Sequence, residues 1–200
     1  MQELRARIAA NLAAFDRRAI DEAGHRRAAV AILISPFEEA LAYVLTRRAP
    51  TLRSSTGNYA LPGGALEPGE DAIDGAIRET AEEIGVTMAR ADALGLLDDF
   101  ITLGGHVVTP VVLWSDASLV LSPDPNEVQS AWFAPLADLD HPEAPMREPH
   151  PDGGEPILRM HMKGRWINPP TAAWLYQFRE VGLYGREARV LTVGQPAWTR

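Results

Sequence analysis

A tight glycine turn that runs into an unusually acidic helix is the segment that most narrows what this chain can become. Ala60-Leu61-Pro62-Gly63-Gly64 leads toward a helix predicted over 71 to 84. Ile73, Ile77, Thr80 and Ile84 recur at helical spacing as an inward stripe, with small Ala72, Ala76 and Ala81 beside it. Gly85 stands where a helix end calls for a left-handed residue. Glu79, Glu82 and Glu83 fall within about 100° of arc at 3.6 residues per turn. Glu79 and Glu83 form a like-charged i, i+4 pair, which alone costs a helix roughly 0.2–0.5 kcal/mol. Something should offset that repulsion. Arg78, four residues before Glu82, would leave an ordinary solvated acidic face. A divalent cation is the other answer, because three carboxylates are a hard oxygen donor set suited to Mg2+ or Mn2+.

The rest of the composition excludes several classes. The 200 residues contain no cysteine, so a disulfide framework, a thiolate zinc site and a cysteine nucleophile are all ruled out. A formal charge of −8 argues against broad binding to nucleic acid. No run reaches the roughly 18 to 20 apolar residues of a membrane span, and the N-terminus mixes charges at helical spacing instead of carrying a signal peptide's apolar centre. A cytoplasmic protein without membrane or nucleic-acid partners is expected.

Along the chain, Leu4, Ile8, Leu12 and Phe15 predict an amphipathic helix over 2 to 22 that Gly24 stops. Residues 27 to 35 and 40 to 47 read as a hairpin, with further strands near 93 to 101, 106 to 114 and 127 to 134. Residues 141 to 156 are rich in proline, glycine and acid and predict an exposed loop. A strand-like ILRMHMKGRWI follows, then a helix over 169 to 184 with Trp174, Leu175, Phe178 and Val181 on one face. Strands and helices are interspersed without regular alternation, which favours an α+β fold over a doubly wound sheet. The expected organisation is an N-terminal helix (1–24), a core (25–140) and a C-terminal loop, strand and helix packed on it (141–200).

Gly64, Glu70, Arg78, Glu79, Glu82, Glu83, Gly85 and Val86 fit G-x5-E-x7-R-E-U-x-E-E-x-G-U, departing only at Thr80, where a bulky aliphatic is usual. A chance match has a probability on the order of one in a million. On these residues the chain resembles the Nudix hydrolases. The resemblance implies a mixed β-sheet sandwiched between helices, here with extra N- and C-terminal helices. It also implies that Glu79, Glu82 and Glu83 bind divalent cations and that one of them helps activate water. Glu70 precedes the helix and can pair with Arg78 across the loop, which would orient Glu79. Gly63 and Gly64 let the backbone approach a ligand, and the Gly63 carbonyl is a candidate metal ligand.

A second pattern overlaps the first. Val44-Leu45-Thr46-Arg47-Arg48-Ala49, Arg53, Gly57 and Leu61-Pro62-Gly63-Gly64 resemble the motif that precedes the box in coenzyme A diphosphatases, with Ser55 where many members carry histidine. The two motifs cover residues 43 to 86. The implied reaction is metal-assisted hydrolysis of a diphosphate, with coenzyme A or an acyl-CoA as substrate. Arg47, Arg48 and Arg53 are either solubilising charges at a hairpin end or ligands for substrate phosphates, which guanidinium binds bidentately. Glu127, before Trp132-Phe133, is either a turn cap or a further metal ligand. Asp98 and Asp99 read as turn or edge residues, the five histidines as solvated, and Trp166 and Trp174 as core. Two rival readings stand beside this one: a Nudix diphosphatase for ADP-ribose, NADH or a nucleotide sugar, and a non-catalytic nucleotide-binding module. The terminal helices either close the cleft or form a homodimer interface.

Overall fold

From Ala28 to Ser35 every residue of one strand is buried, the pattern of a strand covered on both faces. In the computed structural model, which describes residues 1–21, 24–49, 59–162 and 164–197, this strand is β1 (Arg26–Phe37) and lies mid-sheet. The hairpin partner is β2 (Ala40–Arg48), followed by β3 (Tyr59–Ala60) and β4 (Gly63–Ala65). After the acidic helix come β5 (Ala93–Leu96), β6 (Phe100–Ile101), β7 (His106–Trp114) and β8 (Val128–Pro135). The sheet runs β3-β2-β1-β7-β5, while β4 pairs with β1, β6 with β7 and β8 with β2. β1 and β7 are parallel, from Arg26 opposite His106 to Ile34 opposite Trp114. The remaining pairs are antiparallel, so the sheet is mixed.

Strand alternation sends the side chains into two cores. Val30, Ile32, Ile34, Tyr43, Leu45 and Val112 meet Ile8 and Leu12 of α1 (Gln2–Ala14) and Trp174, Leu175 and Phe178 at the C-terminal end. Ala29, Ala31, Leu33, Val44, Val111 and Leu113 meet Ala76 and Ile84 of α2 (Ala72–Ile84). A mixed sheet is thus held between helices. Burying Ile8 and Leu12 contributes about 1.5–3 kcal/mol each. Leu12 comes so close to β5 that a Cβ on Gly95 would lie 2.8 Å from its own.

Several local expectations need correction. The first helix ends at Ala14 instead of 22, because the next residues bond sideways. The Arg18 and Ile20 amides donate to the carboxylates of Asp98 and Asp99 at 2.7 and 2.9 Å, an alternative to the helical ladder. Those two aspartates do lie at the edge of the sheet, between β5 and β6, but they are not simple edge residues. Both are fully buried, and they break the expected 93–101 strand into β5 and β6. Asp98 also accepts from Gln177 and Arg189, and Asp99 from Thr109, Arg17 and Arg27. Within the expected 141–156 loop, β9 (Met146–Glu148) pairs with β10 (Ile157–Met162), which pairs with β11 (Arg165–Ile167). The last helix is α3 (Thr171–Gln177), extended by a wider π-type stretch over Phe178–Leu183. His141 and His161 are not simply solvated: their rings stack 3.7 Å apart, with Trp166 edge-on to both. No helix among the described residues is long and apolar enough to cross a membrane.

Candidate active site

The acidic helix starts and stops where its residues dictate. The Asp71 carboxylate accepts the Ile73 and Asp74 amides at 3.0 Å, an N-cap that satisfies two otherwise orphaned donors. Gly85, at φ 70°, ends the helix, its amide donating to the Ala81 carbonyl at 3.1 Å.

The glycine loop is pinned between helix and sheet. β4 pairs with β1, Val30 lying opposite Gly63 and Ala29 opposite Gly64. At Gly63 (φ +155°) a Cβ would sit 2.3 Å from the Ala29 carbonyl oxygen, so the strand admits only glycine here. The Gly63 amide donates to Glu83 Oε2 at 3.1 Å. Gly64 leaves its Cβ position to Glu79, whose Oε1 lies 2.4 Å from where that atom would be.

Arg78 ties these parts together. It meets Glu70 with Nε–Oε1 3.0 Å and Nη2–Oε2 3.1 Å, in fork geometry, and Nη2 also donates to the Ala65 carbonyl at 2.9 Å. Its Nη1 donates to Glu79 Oε1 at 2.9 Å and to Glu82 Oε2 at 2.7 Å. Arg78 holds the Glu70 carboxyl below the usual carboxylate range.

A further carboxylate arrives from a distant part of the chain, the segment just before β8. The segment before β8 is laced to the end of α2 by Ser122 N–H to the Ile84 carbonyl (2.8 Å) and Asp124 N–H to the Glu83 carbonyl (3.0 Å). Asp124 then accepts the Asn126 amide through its side chain at 2.9 Å and the Glu127 amide through its carbonyl at 3.1 Å. This turn delivers Glu127 to the helix. Ligand oxygens of Glu79, Glu83 and Glu127 lie within 4.8 Å of one another, two from buried residues and one from an exposed one.

That spacing fits the ion. Oxygen ligands lie about 2.1 Å from Mg2+, so Glu79, Glu83 and Glu127 would hold one ion after moving inward by up to about 0.7 Å from a mutual spacing of 4.8 Å. Burial pushes the Glu83 carboxyl up to about 7, with Glu79 and Glu127 adding to the rise and the Gly63 amide and Arg48 opposing it. Burial also raises Glu79, against the pull of Arg78. Crowded, desolvated carboxylates of this kind are the environment a divalent cation relieves.

Glu82 stands apart from this group. Its side chain is 53% exposed and turned to Arg78. At 100° per residue it lies on the Arg78 side of Glu79, whereas Glu83 lies on the sheet side. Gly63 enters the cluster through its amide. Of the arginines, Arg48 brings Nη1 to 3.9 Å from Glu83 Oε1. Arg47 alternates to the opposite face of β2, the face of Leu45, and sits opposite Tyr59 in the register. Arg53 lies outside the described residues. Asp124 went unnoticed in the sequence, although Asp-x-Asn before a strand is the pattern of a side-chain-capped turn.

Residues 24–153 match the NUDIX domain. The chain is 38% identical over 96 residues to an uncharacterised Nudix hydrolase, NudL, of Photorhabdus laumondii, covering 48% of this chain and 51% of that one. It is 34% identical over 118 residues to NudL of Escherichia coli K12, covering 58% and 61%. The chain therefore spans about half to three-fifths of the length of these relatives. A MutT/nudix family protein from Enterococcus faecalis shares the fold, with a TM-score of 0.50 and 17% identity over 74% of this chain and 52% of that one. With the family match spanning well over half of its length, the chain belongs to the Nudix family.

Proposed function

We propose that this chain hydrolyses the diphosphate linkage of a nucleoside diphosphate derivative, using Mg2+ or Mn2+, and that coenzyme A or an acyl-CoA is its substrate. The observation that carries the chemistry is the convergence of Glu79, Glu83 and Glu127 within 4.8 Å beside a glycine loop. A diphosphate is anionic and three carboxylates repel it. Glu79, Glu83 and Glu127 would hold a divalent cation, which would supply the neutralising charge and make a water more acidic. Glu70 and Arg78 fix Glu79, and the Gly63 amide fixes Glu83, so the donors are set before substrate arrives. Water adds to phosphorus, the anhydride P–O bond breaks, the bridging oxygen leaves with its phosphate, and one of the carboxylates takes the released proton. Glu82, held by Arg78, acts at the edge of this site.

The substrate assignment rests on Val44 to Ala49, Arg53, Gly57 and Leu61 to Gly64, which follow the coenzyme A diphosphatase pattern without a gap. The products would be 3′,5′-ADP and 4′-phosphopantetheine. The test is incubation with Mg2+ or Mn2+ and, separately, coenzyme A, ADP-ribose, NADH and nucleotide sugars, with products identified by mass. Release of 3′,5′-ADP from coenzyme A, with the others slow, is the expected result. Preferential cleavage of another compound keeps the metal chemistry and discards coenzyme A. Absence of any cleavage overturns the enzymatic reading in favour of a binding module.

A further inference from the structure

Among the described residues Arg48 is the cation paired with Glu83, and it reaches it from the end of β2. Its Nη1 is 3.9 Å from Glu83 Oε1, while Glu83 Oε2 already accepts the Gly63 amide. Arg78, the other guanidinium at the cluster, is committed to Glu70, Glu79, Glu82 and the Ala65 carbonyl. Among the described residues Arg48 carries no comparable set of bonds. Its side chain is 31% exposed, and among the described residues Glu83 is its one ion-pair partner. The Ala49 amide next to it donates to the Glu127 carbonyl at 3.0 Å, so the backbone carrying Arg48 is fastened to the backbone carrying the third carboxylate.

Two cations are thus drawn to one carboxylate. Resting on the reading of the site given above, we infer that Arg48 and the divalent cation compete for Glu83, and that metal binding turns the Arg48 guanidinium from Glu83 to the substrate diphosphate. Coulomb repulsion between a dication at the cluster and a guanidinium within a few ångströms of it weakens the Arg48–Glu83 pair. The displaced group stays anchored by β2 and its neighbour's bond to Glu127, so it cannot travel far. A diphosphate held at the cluster would offer non-bridging oxygens to Arg48, and planar guanidinium binds such oxygens in pairs. The exchange orders the events, because Arg48 becomes available for phosphate only after the cluster has been neutralised. It also distinguishes neighbouring arginines that the sequence treats alike, since Arg47 alternates to the other face of β2.

The exchange predicts effects of opposite sign in one variant. Chelator-treated protein is titrated with Mn2+ alone by calorimetry, and then, at saturating Mn2+, with the manganese complex of α,β-methylene-ADP, which holds a diphosphate that cannot be cleaved. Arg48→Ala should bind Mn2+ about three- to fivefold more tightly, the scale a partly exposed ion pair supports after solvent screening. The same variant should bind the analogue about 10- to 100-fold more weakly, the value of charge-assisted bonds to phosphate. Arg48→Lys should restore the Mn2+ affinity of the unsubstituted protein but regain only part of the analogue binding, since ammonium lacks the fork. Arg47→Ala should leave Mn2+ affinity within twofold. Unchanged or weakened Mn2+ binding in Arg48→Ala overturns the competition. Tightened Mn2+ binding with undiminished analogue binding overturns the transfer to phosphate. Both measurements are free of turnover, so a protein that cleaves no compound of the substrate panel fails the functional reading without deciding this one.

Discussion

Gly64→Ala tests whether the glycine loop positions a metal ligand or merely turns the chain. The methyl group would lie 2.4 Å from Glu79 Oε1, 2.6 Å from its Cδ and 2.8 Å from Oε2. Ordinary van der Waals contact begins near 3.4 Å, so the carboxylate has to retreat by about 1 Å. The backbone itself does not resist, because Gly64 is not in the left-handed region and pairs with Ala29 in a regular ladder. Replacing glycine where alanine fits the backbone stabilises by about 0.4–1 kcal/mol through the unfolded chain. Straining the Arg78–Glu79 bond offsets that by a similar amount, since bonds to charged groups are worth about 1.5–3 kcal/mol when lost outright. Global stability in urea should therefore stay within about 1 kcal/mol of the unsubstituted protein. Function should not. A 1 Å misplacement costs on the order of 100-fold in rate, and Mn2+ affinity should fall with it. Mn2+ calorimetry and steady-state hydrolysis of whichever panel compound is cleaved read both effects. A Gly64→Ala protein that folds and keeps normal Mn2+ affinity and kcat would refute the placement of Glu79 in the metal site.

Glu83→Gln and Glu82→Gln should separate despite being adjacent. The first removes a buried member of the cluster and should cost at least 100-fold in kcat, whereas the second removes an exposed partner of Arg78 and should cost under tenfold; equal losses would contradict the geometry. Asp71→Ala deletes the helix cap and should lower stability by about 1 kcal/mol in urea, and no change would mean the cap contributes nothing. The Asp71 carboxyl is held down to about 2, chiefly by Arg90, so its contribution is complete above the unfolded value of 3.8 and lost as pH falls through 2. Asp99→Ala strands Arg17, Arg27 and Thr109 around a buried site. Because both arginines reach solvent and rehydrate in part, the loss should lie near the lower end of the 3–5 kcal/mol typical of broken buried pairs, about 3 kcal/mol by urea denaturation.

Where the local pattern decides the structure, the sequence reading and the fold agree. β1, β2, β7, β8 and α2 follow from runs of apolar residues and from their caps, since burying Ile32 or Leu33 needs only a sheet covered on both sides. Agreement fails where a distant partner outbids the local preference. Residues 16 to 20 have helical spacing behind them, yet the Arg18 and Ile20 amides bond to Asp98 and Asp99, some 80 positions away. The same two aspartates interrupt a strand that hydrophobicity alone would have continued. No window of sequence contains both halves of that exchange.

The site shows the same division between local and distant terms. The split between Glu82 and Glu83 was implicit in helix geometry: measured from Glu79 they lie about 60° and 40° away in opposite senses, one toward Arg78 and one toward the sheet. Glu127 was not implicit, because its place depends on the Asp124 turn being laced to the end of α2. Arg48 depends on alternation along β2, which is legible, and on β2 lying beside the helix's inner face, which is not. The like-charge repulsion that first marked the helix is met by groups from several parts of the chain. Arg78 comes from the helix itself, the Gly63 amide from β4 and the Arg48 guanidinium from β2. All three leave oxygens of Glu79, Glu83 and Glu127 within reach of one another. Partial neutralisation would suit the proposed uptake of a dication, since full pairing by arginines would close the cluster to metal and no pairing would push its carboxylates apart.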